Sequence, residues 1–262
     1  MSAHVDYLRL ATFDFPAHQY ASANIMESYP GGWEQAGWLQ YRGWKKEQIF
    51  VGRANQEDKL HGIIQISGMQ SNQLFPNMQQ LDKHYCTRLD VQMTIPMPEN
   101  LKLKKVHKNL GKRISTLISS ESNDTLYVGN RKSDIFTRLY QKPLDRMYLR
   151  LEFELKGQRS RAAWLALLAG ATVDEIFKYY FERSKLPDAV KKHFDLADIG
   201  ETDKAMRAEI LKDSQKKLAW IQSIDSAIMQ AMNDHDIGQE VKHIVNAWAL
   251  VARNIDRMNE ED

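Results

Sequence analysis

Short runs of alternating apolar and polar residues fill the first half of the chain, and they predict β-strands. The runs VDYLRLATFDF at 5–15, GWLQYRGW at 37–44, EQIFVGRA and HGIIQISG are separated by glycine, proline and asparagine. RLDVQMTI at 88–95 is the clearest of them, and it stops at Pro96 and Pro98. Two more strands flank GNRKSD, and MYLRLEFELKG closes this β-rich half.

Helical spacing interrupts the alternation once and replaces it after Gly157. The stretch LKLKKVHKNLGKRISTLISS predicts a helix whose apolar positions are Leu103, Val106, Leu110, Ile114 and Leu117. After Gly157, SRAAWLALLAG is apolar, and Thr172 with Glu175 makes a capping box that opens a helix through DEIFKYYFERSK. Amphipathic spacing predicts further helices over 203–233 and 241–251.

These patterns predict an α+β fold with two parts. Residues 1–157 form a β-rich domain with a mostly antiparallel sheet, and residues 158–262 form a helical region. With 262 residues and 43% hydrophobic content, the chain can bury a sizeable core.

Charge and cysteine content bear on what the protein can bind and on the compartment in which it acts. The chain has 36 Lys and Arg against 34 Asp and Glu, so a nucleic-acid site would have to be local. Its single cysteine, Cys86, cannot form an intramolecular disulfide, which fits a reducing compartment. We expect neither a signal peptide nor a membrane span, because the first residues lack a basic region followed by an apolar core and no apolar run is long enough to cross a bilayer. We therefore expect a cytoplasmic protein without a membrane partner.

Three of the predicted strands carry an unusual polar face. Side chains alternate between the faces of a strand, so every second residue points the same way. In each strand one of these two sets consists of charged, amide or phenolic residues. The sets are Arg88, Asp90 and Gln92 in the first strand, Arg138, Tyr140 and Lys142 in the second, and Arg150, Glu152 and Glu154 in the third. A solvated face explains this composition, with cross-strand pairs that each stabilise the sheet by ~0.2–1 kcal/mol.

The same residue types also suit metal-assisted phosphoryl transfer. Carboxylates hold a hard divalent cation, arginines and the cation neutralise a phosphate, and a phenol oxygen supplies the nucleophile. Tyr140 stands between Arg138 and Lys142 in R-L-Y-Q-K, and we expect Lys142 to lower the pKa of the phenol from about 10.

The segment TLYVGNRKSDIFTRLYQK, preceded by TRLDVQMTI and followed by YLRLEFELKG, resembles the replication initiation factor family of rolling-circle plasmids. Related mobile-element relaxases belong to the same family. In that family an R-[LI]-D strand comes first, a Y-[FV]-G-x-R-x-S-x-x-F-x-R-[IL]-Y-x-K segment carries the catalytic tyrosine, and an R-[LV]-E-x-E-L strand follows. The order and the chemistry agree over residues 85–157.

The resemblance implies a rolling-circle replication initiator that nicks and rejoins single-stranded or hairpin origin DNA. Tyr140 would attack a phosphodiester, form a covalent 5′-phosphotyrosine and leave a free 3′-hydroxyl that primes synthesis. Arg138 and Lys142 would contact the phosphate. The divalent cation, Mg²⁺ or Mn²⁺, would be held by Asp90 and Glu152, with Glu154 as the weaker candidate.

DNA contacts are expected along the same motifs and on the lysine-rich helix. The motif positions are Arg88, Arg131, Ser133 and Arg150. The helix contributes Lys104, Lys105 and Lys108, whose charge fits either a solvated face or a face that follows the phosphates. The C-terminal helices could form a homodimer, recognise origin duplex or recruit a host helicase.

One position departs from the family pattern. The R-L-D strand often continues to a second acid four residues after the first, and here that position is Thr94. The metal site would then use fewer carboxylates or recruit Gln92, His84 or His61. Thr94 also leaves open a non-catalytic DNA-binding regulator that keeps the fold, and a relaxase for a mobile element remains an alternative within the same chemistry.

Overall fold

A computed structural model of the chain describes residues 2–38, 40–56, 59–68, 70–73, 81–120, 124–142 and 145–200. The chain divides into two compact units, Met1–Ile210 and Leu211–Asp262. The helices expected over 203–233 and 241–251 lie outside the described residues. Within the described ranges, no helix has the length and apolar character needed to cross a membrane.

A ten-stranded antiparallel sheet forms the centre of the first unit. Its strands are β1 (Ala3–Thr12), β2 (Glu34–Trp38), β3 (Tyr41–Lys46), β4 (Ile49–Gln56), β5 (Lys59–Ser67), β6 (Tyr85–Pro96), β7 (Ser115–Ser119), β8 (Asp124–Val128), β9 (Ile135–Lys142) and β10 (Asp145–Lys156). Their order across the sheet is β2-β3-β4-β5-β1-β6-β10-β9-β8-β7. The strands β1, β6 and β10 are therefore central, and β2 and β7 are the edges.

Helices cover the apolar face of this sheet. They are α1 (Phe15–Ser28), α2 (Gln70–Gln73), α3 (Leu103–Leu110), α4 (Gly157–Leu168), α5 (Val173–Glu182) and α6 (Asp188–Lys191). Leu89 and Phe153 of the sheet share one buried core with Val106 of α3, Trp164 of α4 and Phe177 of α5. The α+β fold with a large antiparallel sheet is thus confirmed, and the helices that follow Gly157 bury their apolar sides in the same core.

Two predicted elements end earlier than their apolar spacing indicates. The helix expected to reach Leu117 stops at Leu110, because Gly111 takes a φ of 78° that favours glycine, and the chain continues as β7. GWLQYRGW is a hairpin and not one strand, since β2 and β3 pair with Trp38 opposite Tyr41. The alternation continues from one strand into the next, so the pattern alone does not mark the break.

Helix α1 was not predicted, because its residues were assigned partly to the first strand. β1 ends at Thr12, and Asp14 caps the helix by accepting a hydrogen bond from the Ala17 amide at 3.0 Å. Pro16 lies in the first turn, where its missing amide hydrogen has no helical partner to lose. The sequence D-F-P was therefore a usable signal for the start of this helix.

Helix α1 lies unusually close to the sheet at one point. A Cβ atom on Gly62 of β5 would lie 2.2 Å from Cγ of the buried His18 ring. Only a residue without a side chain fits there, so Gly62 sets the distance between α1 and β5.

We predict that Gly62→Ala destabilises the protein by about 1–3 kcal/mol, because the added methyl group overlaps the His18 ring. Chemical denaturation of wild type, Gly62→Ala, His18→Ala and the double variant measures the coupling. Gly62→Ala should be less destabilising once the ring is removed. An equal effect in both backgrounds would show that the contact does not set the helix position.

Candidate active site

The three polar strands are direct neighbours at the centre of the sheet. β10 lies between β6 and β9 in the strand order. Glu152 is opposite Gln92 on one side and Arg138 on the other, and Arg150 is opposite Thr94 and Tyr140. The register therefore brings the predicted polar residues onto one face, which we call the polar face.

This face is not a solvated surface at its centre. The exposed fractions of Asp90, Glu152 and Glu154 are 1%, 1% and 3%. Buried carboxylates are rare unless they are paired, because removing a charge from water is costly. We call these three residues the carboxylate cluster, and the solvated-face explanation does not hold for it.

Two arginines and a lysine neutralise the carboxylate cluster. Arg138 Nη2 lies 3.1 Å from Asp90 Oδ2 and also donates to Glu152 Oε1. Arg88 donates from Nε and Nη2 to the two oxygens of Asp90 at 2.9 and 2.5 Å, and its Nη2 is 2.9 Å from Glu154 Oε2. Lys156 Nζ lies 2.5 Å from Glu154 Oε1. Arg138 and Arg88, which the sequence indicated for phosphate or DNA contact, are here counter-ions of the buried acids.

The carboxylate cluster as arranged does not fit a divalent cation. Each of its six oxygens faces an N–H or O–H donor, the last being Glu152 Oε2, which accepts from Tyr140. Arg138 Nη2 occupies the space between the three carboxylates, with Glu154 Oε2 at 3.8 Å. Among the described residues, no group of three or more His, Cys, Asp and Glu side chains is arranged to hold a metal. The predicted Mg²⁺ or Mn²⁺ would have to displace this guanidinium.

The pKa values of the three acids diverge within the cluster. Burial raises the pKa of Glu152 to about 8, with Arg138 opposing the shift and Asp90 adding to it. Burial also raises the pKa of Asp90 against the opposing charge of Arg88. For Glu154 burial is outweighed by Lys156, so its pKa is lowered. Glu152 is thus the acid suited to exchange a proton near neutral pH.

Tyr140 lies half-buried beside this acid. Its hydroxyl donates to Glu152 Oε2 at 3.4 Å and accepts from Arg150 Nη1 at 3.5 Å. Burial and the charge of Glu152 raise the pKa of Tyr140, and Arg150 opposes the shift. The expected lowering by Lys142 is wrong, and the phenol is neutral near pH 7. Nucleophilic attack by Tyr140 would therefore need a base, and Glu152 is in position to be one.

Thr94, which departs from the family pattern, holds Arg150 in place. Arg150 Nε donates to Thr94 Oγ1 at 3.2 Å, and this hydroxyl donates to Gln92 Oε1 at 3.1 Å. Arg150 Nη1 also lies 3.7 Å from Asp6 Oδ1. The Thr94 hydroxyl therefore directs the Arg150 guanidinium toward Tyr140 without forming an ion pair with that guanidinium.

Three residues of the site were missed in the sequence. Asp6 and Tyr7 both lie at the polar face, because a β-bulge between Val5 and Tyr7 breaks the alternation of β1. The guanidinium of Arg88 lies 4.4 Å from the centre of the Tyr7 ring. Lys156 follows the alternation of β10 and could have been found from the sequence. Asp6 and Tyr7 could not, because the bulge leaves no simple pattern.

The remaining motif residues lie around the site. Lys142 is half-buried on the polar face, and it makes no ion pair with the described side chains. The Arg131 side chain is exposed, and its carbonyl accepts from Lys156 Nζ at 2.7 Å. Ser133 donates to the Asn130 carbonyl at 2.6 Å, so its hydroxyl stabilises the turn.

The other candidates lie away from the carboxylate cluster. Lys104, Lys105 and Lys108 are exposed on α3, which packs at the β7 edge. His84 is buried beside His18, with the nearest ring nitrogens 3.5 Å apart, and His61 contacts Phe13. Gln92, which is opposite Glu152, is the proposed extra ligand that lies beside the carboxylate cluster. Burial raises the pKa of the Cys86 thiol to about 12, which fits a packing role.

Comparison with known proteins does not identify the chain. A scan against protein-family models finds no match. A search of curated proteins also finds no match. The resemblance to rolling-circle initiators therefore stays a prediction based on the three motifs.

We predict that Arg138→Gln lowers the free energy of unfolding by roughly 2–4 kcal/mol, because it leaves buried acids without a counter-ion. The side chain of Arg138 is 27% exposed, so the loss should stay below that of a fully buried pair. Lys142→Gln, on the same strand and face, is the matched control and should change stability by less than about 0.5 kcal/mol. Equal effects in urea denaturation would contradict the counter-ion role.

We predict that Glu152→Gln changes the pH dependence of stability. Because the folded-state pKa of Glu152 is about 8 and its ordinary value is 4.5, the stability that its protonated form contributes falls as the pH rises from about 4.5 to about 8. Relative to wild type, Glu152→Gln should gain stability over this range by at most about 1.4 kcal/mol per pH unit. Denaturation at several pH values checks this, with the exposed Glu99→Gln as control. A pH-independent difference between Glu152→Gln and wild type would contradict the raised pKa.

Proposed function

We propose that the protein is a tyrosine-type DNA nicking and joining enzyme that initiates rolling-circle replication. The observation that carries this proposal is the position of the Tyr140 hydroxyl between the Glu152 carboxylate and the Arg150 guanidinium. A nucleophile, a proton acceptor and a phosphate-binding cation thus converge on one half-buried face. The three motifs that resemble the initiator family also lie on adjacent strands, which supports the proposal.

Proton transfer from Tyr140 to Glu152 would begin the reaction. The hydrogen bond from the phenol to Oε2 is long at 3.4 Å, and such contacts often shorten when substrate binds. The phenol oxygen then forms a bond to the phosphorus as the bond from phosphorus to the 3′ oxygen breaks. The leaving oxygen takes a proton from water and becomes the free 3′-hydroxyl, and Tyr140 carries the 5′-phosphate.

Joining is the reverse of this step. A 3′-hydroxyl gives its proton to water as its oxygen attacks the phosphotyrosine, the bond between phosphorus and the Tyr140 oxygen breaks, and protonated Glu152 returns a proton to the phenol. A carboxyl with a pKa of about 8 is present in both protonation states near neutral pH, so one residue can serve both directions. Arg150 would stabilise the negative charge that develops on the phosphate oxygens.

The divalent cation stays a prediction, and the proton transfer and the attack need only residues of the chain. Asp90, Glu152 and Glu154 are the residues that would hold Mg²⁺ or Mn²⁺, and their oxygens are engaged by Arg88, Arg138, Lys156 and Tyr140. A bound cation would neutralise the phosphate charge, the task that Arg150 is placed to perform here.

The expected partners are origin DNA, as a single strand or a hairpin, and a host helicase. Exposed Arg131 and the lysines of α3 would contact phosphates. The helical region 158–262 would provide a homodimer contact. A cytoplasmic site of action follows from the DNA substrate.

A non-catalytic DNA-binding regulator is the second candidate. The observation that favours it is the complete pairing of the carboxylate cluster, which holds the acids in a stable internal network. A regulator would bind DNA without any need for the Tyr140 hydroxyl. A relaxase would use the same chemistry on a transfer origin, so it differs only in the DNA that it cuts.

We predict that wild-type protein forms a covalent DNA adduct and that Tyr140→Phe does not. Removing the phenol oxygen removes the attacking atom, whereas the ring and its packing remain. Labelled single-stranded and hairpin DNAs are incubated with each protein and separated on a denaturing gel. DNA binding, measured separately by mobility shift, should be the same in both proteins.

Tyr127→Phe is the matched control, because Tyr127 lies on neighbouring β8 opposite Arg138 and has no place in the chemistry. Equal adduct in wild type and Tyr140→Phe would contradict the nucleophile assignment. Binding without an adduct in either protein would favour the regulator. Parallel reactions with Mn²⁺, Mg²⁺ and a chelator test the metal, and a strict requirement would mean that Arg138 leaves the carboxylates in the reacting complex.

A further inference from the structure

A groove lies between α1 and the strands β2, β3 and β4, and neither Tyr140 nor the carboxylate cluster lines it. Its volume is about 810 Å³. Gln19, Ser22 and Met26 of α1 form one wall, and Arg42, Trp44 and Arg53 of the sheet are on the other. Val51, which also lines the groove, belongs to the core that the helices cover. The groove is therefore on the face of the sheet opposite to Tyr140.

Glycine at position 37 leaves room in this groove. Gly37 lies opposite Arg42 and brings no side chain to the sheet wall. Gly43 lies opposite Gly52, and the backbone of both lines the groove. At β5 the contact of Gly62 with His18 holds α1 close to the sheet. The helix thus closes the groove on the β5 side, and the space lies over β2–β4.

Two arginines of the groove face each other across adjacent strands. Arg42 of β3 is directly opposite Arg53 of β4, and both are exposed. Within the part of the chain that the structure describes, neither forms an ion pair. Like charges directly opposite on antiparallel strands destabilise the sheet. An anion between the two guanidinium groups would remove that repulsion, and a phosphodiester is an anion that guanidinium groups bind.

An exposed indole stands next to this pair. Trp44 follows Arg42 by two residues on β3, so both side chains are on the same face. Trp44 is 42% exposed although it lies opposite the buried Val51. An aromatic face beside paired cations is the arrangement that binds single strands, because bases stack on the ring while the cations contact the backbone.

We propose that this groove binds single-stranded DNA, with a base stacked on Trp44 and a phosphate between Arg42 and Arg53. The inference rests on the proposed function in one respect, that DNA is the substrate. Single-stranded DNA is the favoured occupant because it exposes both a free base face and a phosphate, which duplex DNA does not offer together. The groove holds DNA away from the attacked phosphate, so it contributes to affinity and not to the bond-breaking step.

Equilibrium binding in the Tyr140→Phe background tests this site without any reaction. The probe is a labelled oligothymidylate, and its anisotropy is measured over a series of salt concentrations. Arg42→Gln with Arg53→Gln should reduce the slope of log K against log salt by about 0.7 for each phosphate that the variant no longer binds. Trp44→Ala should weaken binding by about tenfold, the effect of removing one stacked base.

Matched controls come from exposed residues outside the groove. Tyr20→Ala removes an aromatic ring that is 63% exposed on the same helix but does not line the groove. Lys185→Gln with Lys192→Gln removes two exposed charges elsewhere. Both controls should leave affinity and salt slope near those of the parent protein. Circular dichroism confirms that all variants are folded.

Several outcomes would contradict the proposal that the groove binds single-stranded DNA. An unchanged salt slope in the arginine pair variant or an unchanged affinity in Trp44→Ala would show that these residues do not bind the strand. Equal losses of affinity in the controls would show that the effect is not specific to the groove. Tighter binding of duplex than of single strand, or no binding of the probe at all, would also contradict the proposal. A free nucleotide that binds as tightly as the oligomer would also contradict a strand site.

The covalent assay with Tyr140 intact separates this inference from the proposed function. If wild type forms no adduct but the groove variants still bind DNA more weakly, the groove is retained and the nicking enzyme is rejected. If adduct forms and the groove variants bind DNA as tightly as the parent protein, the nicking enzyme is retained and the groove is rejected. With both correct, the groove variants should form adduct slowly at low DNA concentration and at the wild-type rate at saturation.

Discussion

The buried charge of Asp90, Glu152 and Glu154 is the constraint on which the structure depends. Three carboxylates at the centre of a sheet, almost without exposure, can be tolerated only if cations neutralise them. The cations come from the same strands, because Arg88, Arg138 and Lys156 alternate onto the polar face. The register of β6, β10 and β9 is therefore tied to charge pairing, since a slip by one residue would place acids in the apolar core.

This constraint also fixes the chemistry available to Tyr140. Burial raises the pKa of Glu152 to about 8, near the pH at which enzymes work, whereas Lys156 and Arg88 lower the pKa of Glu154. The phenol stays neutral next to a carboxyl that can exchange its proton, and Arg150 completes the arrangement from the side of Thr94. A network that stabilises the sheet thus prepares one tyrosine for proton transfer, and Thr94 is part of it.

Sequence patterns predicted the sheet, the polar face and its members well. Alternation identified β6, β9 and β10 because each buries one face completely. Alternation could not show that the polar face is itself buried, since that depends on the neighbouring strands. Asp6 was hidden by a bulge, and the end of α3 depends on the positive φ of Gly111. The partners of Arg138 could not be predicted, because an arginine between acids and one beside a phosphate look the same in sequence.

The central claim is that the Tyr140 oxygen forms the covalent link to DNA, and peptide mapping tests it most directly. Wild-type protein is reacted with a hairpin DNA, the DNA is trimmed with nuclease, and the protein is digested for tandem mass spectrometry. We expect a nucleotide mass on the phenol of Tyr140 in the peptide that contains R-L-Y-Q-K. A nucleotide on another side chain, such as Ser133 or Tyr127, would contradict the claim.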